Sequence, residues 1–305
     1  MKKHNFFAGT AFAVPVFTLI MMTAGCTSVP KLPPADPLSV LGTDSSVYFK
    51  IPVQTHKDFV KSVIVSQIPQ LSEKDADQII GHLDMIYAGL GNKNDLSGID
   101  ISASGTIPSI AVKTALTEKN GWGKNTVQIV SDQPSVRQRP YSYYTRSDTA
   151  YQLAVPSPDN VLLSKNVVPL IRQYDKSLQE NVNAPDAAVP DIWVSDTYTW
   201  MTAPSADIRF CVLRPQAFLA KLLGIDMRLA LACAKGSLAE TADSDNMDLE
   251  LELEFQNVHA VRAAQIMMQM ALGNGIIMES PENSQILKVR GVRISKVQVL
   301  DLLVQ

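Results

Sequence analysis

Histidine and cysteine are scarce in this chain, and neither sign of charge is in large excess. Four histidines and three cysteines occur in 305 residues. His4, His56, His82 and His259 are scattered, so no metal site is expected. Lys and Arg together number 27 against 30 Asp and Glu, a formal net charge of -3. Loss of Lys2 and Lys3 with an N-terminal leader would make the chain more acidic still. Such a balance lacks the basic footprint that phosphate-backbone binding needs, so nucleic acid is excluded as a partner. No G-x-S-x-G, H-E-x-x-H, Walker loop or post-strand G-x-G-x-x-G occurs, and we expect neither an enzyme nor a cofactor. Gly121-Trp122-Gly123 and Gly273-Asn274-Gly275 read as turn chemistry. What the chain does have is bulk, with 46% hydrophobic residues, enough for one large domain or two modest ones.

The N-terminus reads as an address. Lys2 and Lys3 precede an apolar run from Phe6 to Met22, and Thr23-Ala24-Gly25-Cys26 follows directly. The run is short for a spanning helix and Pro15 interrupts it. Small residues before a Cys are similar to a bacterial lipoprotein signal, with residues 1–25 as leader and Cys26 as the acylated residue, although Thr23 stands where Leu is usual. Residues 26–43, carrying Pro30, Pro33, Pro34 and Pro37, read as an extended tether. Thr27 after the acylated Cys favours the outer membrane by resemblance to enteric lipoproteins. The other two cysteines, Cys211 and Cys233, fall on predicted strands and form a candidate disulfide in an exported protein, with two small buried hydrophobes as the alternative.

Two kinds of local pattern recur. Ser46–Ile51 alternates as a strand before a helix over His56–Gln67, and Asp207–Val212 precedes a helix opened by Pro215 in the same way. Asp100–Gly105 leads into Ile107–Leu116 much as Gln285–Arg290, with Gly291, leads into Ser295–Val304. These pairs suggest an internal duplication, with α/β halves at 44–185 and 190–305 packed as one body. Further strands are predicted at Thr126–Val130, Tyr141–Ala154, Ile192–Met201 and Met227–Ala234. Leu249-Glu250-Leu251-Glu252-Leu253-Glu254-Phe255 has strict period two, with leucines on a core face and glutamates on a face neutralised by Lys288 and Arg290. The fold class is therefore α/β or α+β, a mostly antiparallel sheet flanked by amphipathic helices.

The helices carry the functional reading. Asn257 caps a helix over Val258–Leu272 that ends at Gly273, with a narrow polar stripe of His259, Arg262, Gln265 and Gln269. A second helix is predicted over Asp77–Leu90, and a third over Pro158–Gln179 split by Pro169. Burial against a sheet accounts for wide apolar faces, but a lipid-anchored protein also meets a bilayer. The candidate lipid contacts are Ile79, Ile80, Leu83, Ile86 and Leu90 on one helix and Val261, Met267, Met268, Met270 and Leu272 on the other.

A lipobox with Thr23 at its non-Leu position, an α/β body and several amphipathic helices resemble the treponemal lipoproteins of the concealed outer-membrane type. The resemblance is one of pattern, with no diagnostic motif. It implies anchoring at the periplasmic leaflet and helices that enter the bilayer and disturb its permeability. Two other readings stand beside it, a periplasmic carrier of lipid or an apolar ligand, and a scaffold for an envelope protein partner. The scaffold would use strand edges or the Tyr141, Tyr143, Tyr144 and Tyr151 region, where cross-strand packing is the alternative. The oligomeric state is not legible.

Overall fold

The computed structural model describes residues 35–67, 73–92, 95–129, 139–183, 195–224, 230–243, 245–273 and 275–303. Cys26 and its flanks lie outside these residues. The first half runs α1 (Pro37–Leu41), β1 (Val47–Pro52), α2 (Lys57–Gln67), α3 (Glu73–Ile80), β2 (Leu83–Asn92) and β3 (Asp95–Gly105). It continues with α4 (Ser109–Ala115), β4 (Trp122–Ile129), β5 (Arg139–Arg146), β6 (Gln152–Ser157), β7 (Asn160–Ser164) and α5 (Val167–Asn183). The second half runs α6 (Ser195–Thr202), β8 (Ile208–Val212), α7 (Pro215–Leu223), β9 (Leu231–Glu240), β10 (Asn246–Phe255), α8 (Val258–Leu272), β11 (Ile277–Glu279), β12 (Ile286–Ser295) and α9 (Lys296–Leu303).

Among the described residues, twelve strands join one antiparallel sheet in the order β11-β12-β10-β9-β8-β1-β2-β3-β7-β6-β5-β4. The halves meet at the centre, where β1 pairs with β8 and Phe49 lies opposite Phe210. Counting outward from that seam, β1 with α2 and β8 with α7 hold matching places. The other sequence pair does not. β3 stands third from the seam, where its counterpart is β10, whereas β12 stands fourth. The glycines mislead here. Gly105 ends its strand, but Gly291 sits inside β12 at φ +79, where the register with β10 shifts.

One sheet face carries the main core. Val47, Phe49 and Ile51 of β1, Phe210 of β8 and Leu249, Leu251, Leu253 and Phe255 of β10 meet Phe59, Phe218, Leu222, Val261, Met268 and Val299 from the helices. The Leu/Glu alternation therefore puts its leucines inside. On the other face α1, α5 and α6 cover the centre and the β7–β4 side through two smaller clusters. Among the described residues the three clusters are built from Ala35 onward, and Pro34–Gln305 forms one compact unit.

Several sequence expectations change. The end of the tether is packed rather than extended. Asp36 caps α1 by accepting from the backbone N–H groups of Leu38 and Ser39, and Leu38, Val40 and Leu41 are buried. Asp36 also accepts from the Tyr198 hydroxyl at 3.0 Å, and its N–H donates to Ser177 Oγ at 3.0 Å. Residues 83–92 are strand, not helix, because pairing between β1 and β3, with both faces covered over residues 86–90, outweighs the helical spacing of Leu83, Ile86 and Leu90. Residues 160–164 are likewise strand, and Pro169 falls in the first turn of α5, where its missing N–H breaks nothing. The predicted strand over Ile192–Met201 is α6 over its described part, with Lys50 and Arg209 donating to the carbonyls of its last turn.

Glu240 joins β9 to two other elements. It accepts from Lys296 Nζ at 2.6 Å and lies 3.1 Å from Nδ1 of the buried His56. Burial raises the carboxyl, but the hydrogen bonds and charges of Lys296 and His56 outweigh that and hold it below the usual value of 4.5. A depressed carboxylate stabilises the fold above its unfolded pKa and loses that contribution as pH falls through the lower folded value. We expect urea midpoints of wild type and Glu240→Gln to differ at pH 7 and to converge below pH 4.5. After solvent screening the difference should be about 1 kcal/mol. Equal midpoints at pH 7 would show that the linkage is not stabilising.

Candidate membrane-facing site

The described residues sort the predicted lipid contacts into three groups. Ile80, Leu83, Ile86, Leu90, Val261 and Met268 are buried in the main core. None of these six can touch a bilayer while the fold is intact. Met267 and Leu272 are half-buried against that core. Ile79 and Met270 remain outside, and Met270 is 75% exposed.

α8 shows why the sequence could not separate them. Its Asn257 cap, accepting from the Ala260 N–H at 2.9 Å, and its end at Gly273 are where the sequence puts them. Its apolar circumference is wider than the strip the sheet can cover. Ala260, Val261, Ala264 and Met268 face the core, while Val258, Arg262, Ile266 and Met270 form an outward row at four-residue spacing. The predicted polar stripe is only part of the exposed surface.

The most exposed short helix was not among the predicted contacts. α4 has no buried residue, and Ile110 on it is 74% exposed. Ile107, Ala111, Val112 and Leu116 flank it half-buried. Its sequence signal was an apolar-periodic run, but nothing in that run told whether the sheet would cover it. Val297 of α9 and Ile277 of the edge strand β11 are exposed as well. No described helix is long and apolar enough to cross a membrane.

The opposite sheet face is charged. Glu252 lies 2.8 Å from Lys235 and 3.5 Å from Lys288, and Arg290 lies 3.7 Å from Glu250. The carboxylate ladder is thus neutralised across the sheet. Cys211 and Cys233 are both free thiols. Cys211 pairs with Lys235, placing Cys233 diagonally across the β8–β9 pair. Diagonal neighbours sit about 7–8 Å apart, which is beyond unstrained disulfide reach. Burial pushes both thiols up to about 12, and the Glu254 carboxylate adds to this at Cys233. Tyr141 is buried and donates to Asp175 at 2.6 Å, and Tyr151 is also buried. The tyrosine region is therefore largely internal packing, with Tyr143 and Tyr144 half-buried.

An α+β body of this kind, with apolar side chains left on outward helix faces, fits a membrane-associated envelope protein. Residues 33–300 match the family described as outer membrane-associated lipoprotein TP0453, and the chain belongs to that family. No curated protein matches it. The fold is shared with crystal form I of TP0453 at a TM-score of 0.65 and 17% identity, over 90% of this chain and 98% of that one. Crystal form III matches at 0.58 and 15%, over 88% and 98%, and crystal form IV at 0.57 and 18%, over 89% and 97%. The protein is accordingly an outer membrane-associated lipoprotein of treponemal type.

Proposed function

We propose that the body itself engages the outer-membrane inner leaflet through α4 and the outward row of α8, with Cys26 supplying the acyl anchor. The observation that carries this is α4, a helix with no buried residue and an isoleucine three-quarters exposed. Burying an isoleucine in lipid is worth about 1.5–3 kcal/mol, so Ile110, Ile266 and Met270 together give useful affinity without a spanning helix. Few basic residues accompany them, which favours neutral over strongly anionic surfaces. Shallow insertion of apolar side chains spreads one leaflet and raises permeability, and no catalytic chemistry is part of this role.

The test uses the chain from Pro34 onward, without leader or lipid, mixed with neutral and anionic vesicles loaded with a dye. Flotation with the vesicles and dye release are both expected. Flotation without release would remove the permeability part of the reading. Absence of both would leave the acyl chains as the membrane contact and overturn the role given to α4 and α8.

A further inference from the structure

On the charged sheet face, Trp200 of α6 stands beside β9, β10 and β12 and walls a cavity of about 210 Å³. Lys235, Ser237, Glu250, Glu252, Lys288 and Arg290 line it. Three cations and two carboxylates line it. Over the Trp200 ring lie Lys235 Nζ, 5.9 Å from the centroid, and the Arg209 guanidinium, at 5.1 Å, which donates to the Trp200 and Ala203 carbonyls. The lining itself carries one positive charge in excess, on a chain whose formal charge is -3, and Glu279 approaches Arg290 from outside it. The cations are unequally committed. Lys235 is held by Glu252 at 2.8 Å. Arg290 lies 3.7 Å from Glu250 and 3.9 Å from Glu279, beyond hydrogen-bond length, and its side chain is 48% exposed. Lys288 lies 3.5 Å from Glu252 and is 44% exposed.

A guanidinium fork with loosely engaged donors, beside two ammonium groups, matches a group carrying several anionic oxygens. The Trp200 side chain offers an apolar wall for whatever bears that group. We propose that this cavity binds a small organic phosphate, its oxyanion taken by Arg290, Lys288 and Lys235 and its organic part laid against Trp200. The volume admits a headgroup-sized molecule and no acyl chain. The site is separate from the proposed membrane contact of α8, because α8 packs on the opposite face of the same strands.

The phosphate can come from a soluble molecule or from a lipid headgroup, and the probes separate these. The chain from Pro34 onward is titrated with inorganic phosphate, with sn-glycerol 3-phosphate, and with dihexanoyl phosphatidylglycerol below its micelle concentration, followed by calorimetry and phosphorus line broadening. We expect at least one probe to bind with a dissociation constant of about 1 mM or tighter. Arg290→Gln and Lys288→Gln should each weaken it about tenfold, the loss of one charge-assisted hydrogen bond. Both side chains are solvent-exposed, so the variants should fold. Binding of glycerol 3-phosphate without the short-chain lipid assigns a soluble ligand, binding of the short-chain lipid alone assigns a headgroup, and binding of inorganic phosphate alone overturns the role given to Trp200. No binding of any probe at 10-fold higher concentration, or unchanged affinity in Arg290→Gln, overturns the proposal. Ile110→Asp should leave phosphate binding unaltered, so failure of the membrane reading and failure of this one are distinguishable.

Discussion

A chain from Pro34 onward carrying both Ile110→Asp and Ile266→Asp is expected to lose at least about 100-fold in vesicle partitioning. Each isoleucine forfeits about 1.5–3 kcal/mol of apolar burial. A carboxylate in its place must also be kept out of lipid, which costs up to about 2.5–3.5 kcal/mol at hydrocarbon depth and less near the interface. Even the low end for two sites is about 3 kcal/mol. Ile110 and Ile266 are 74% and 61% exposed, so the native fold loses little when they change. Flotation across a lipid titration measures the partition coefficient, and urea unfolding verifies the fold. The comparison variant Met268→Asp acts differently, because a fully buried side chain on the same helix should unfold the body instead. Wild-type partitioning by the double variant would mean that α4 and α8 do not meet lipid.

The second large effect lies at the seam between the halves. Phe210→Ala is expected to destabilise the fold by about 3–5 kcal/mol, out of a total of about 5–15 kcal/mol for a domain. Its ring is fully buried, with centroids 5.7 Å from Phe49 and 5.4 Å from Phe218. Opposite it on β9 is Gly236, where a Cβ would stand 2.5 Å from the Phe210 ring and 2.4 Å from the Glu250 carbonyl oxygen. The glycine is there to admit the ring. With the ring gone, its flat backbone has no side chain to fill the void, so collapse is limited and the cost falls toward the upper figure. A urea midpoint series checks this, with Met270→Ala as the surface control expected within about 0.5 kcal/mol. A loss under 2 kcal/mol would show that the seam relaxes and that the aromatic trio is not its centre.

Some of this molecule is written locally. The Leu/Glu alternation of residues 249–255 places its leucines inward and Glu250 and Glu252 beside Lys235, Lys288 and Arg290. Asn257, Gly273 and the run between them specify α8 to the residue. The β1–α2 and β8–α7 units were legible for the same reason, since strand alternation followed by a helix period is a short-range signal. The N-terminal lipobox pattern pointed to the cell envelope, and the family match agrees.

Other features depended on which surfaces the sheet would cover. Leu83, Ile86 and Leu90 have helical spacing, and Leu83 shares a core with the other two only because the register with β3 shifts between Leu83 and Met85; the pairing of β2 between β1 and β3 decided for strand. Ile192–Met201 read as extended until cations from β1 and β8 met the end of α6. Pro37–Leu41 read as tether, because nothing near it in the chain reveals that Ser177 and Tyr198 would hold Asp36. The same holds for function. Val261 and Met270 belong to one apolar helix, and only the sheet beneath it makes the first core and the second surface. Amphipathic periodicity records that a side chain prefers to leave water. Whether it does so against its own sheet or against a bilayer is decided by contacts between residues far apart in the chain.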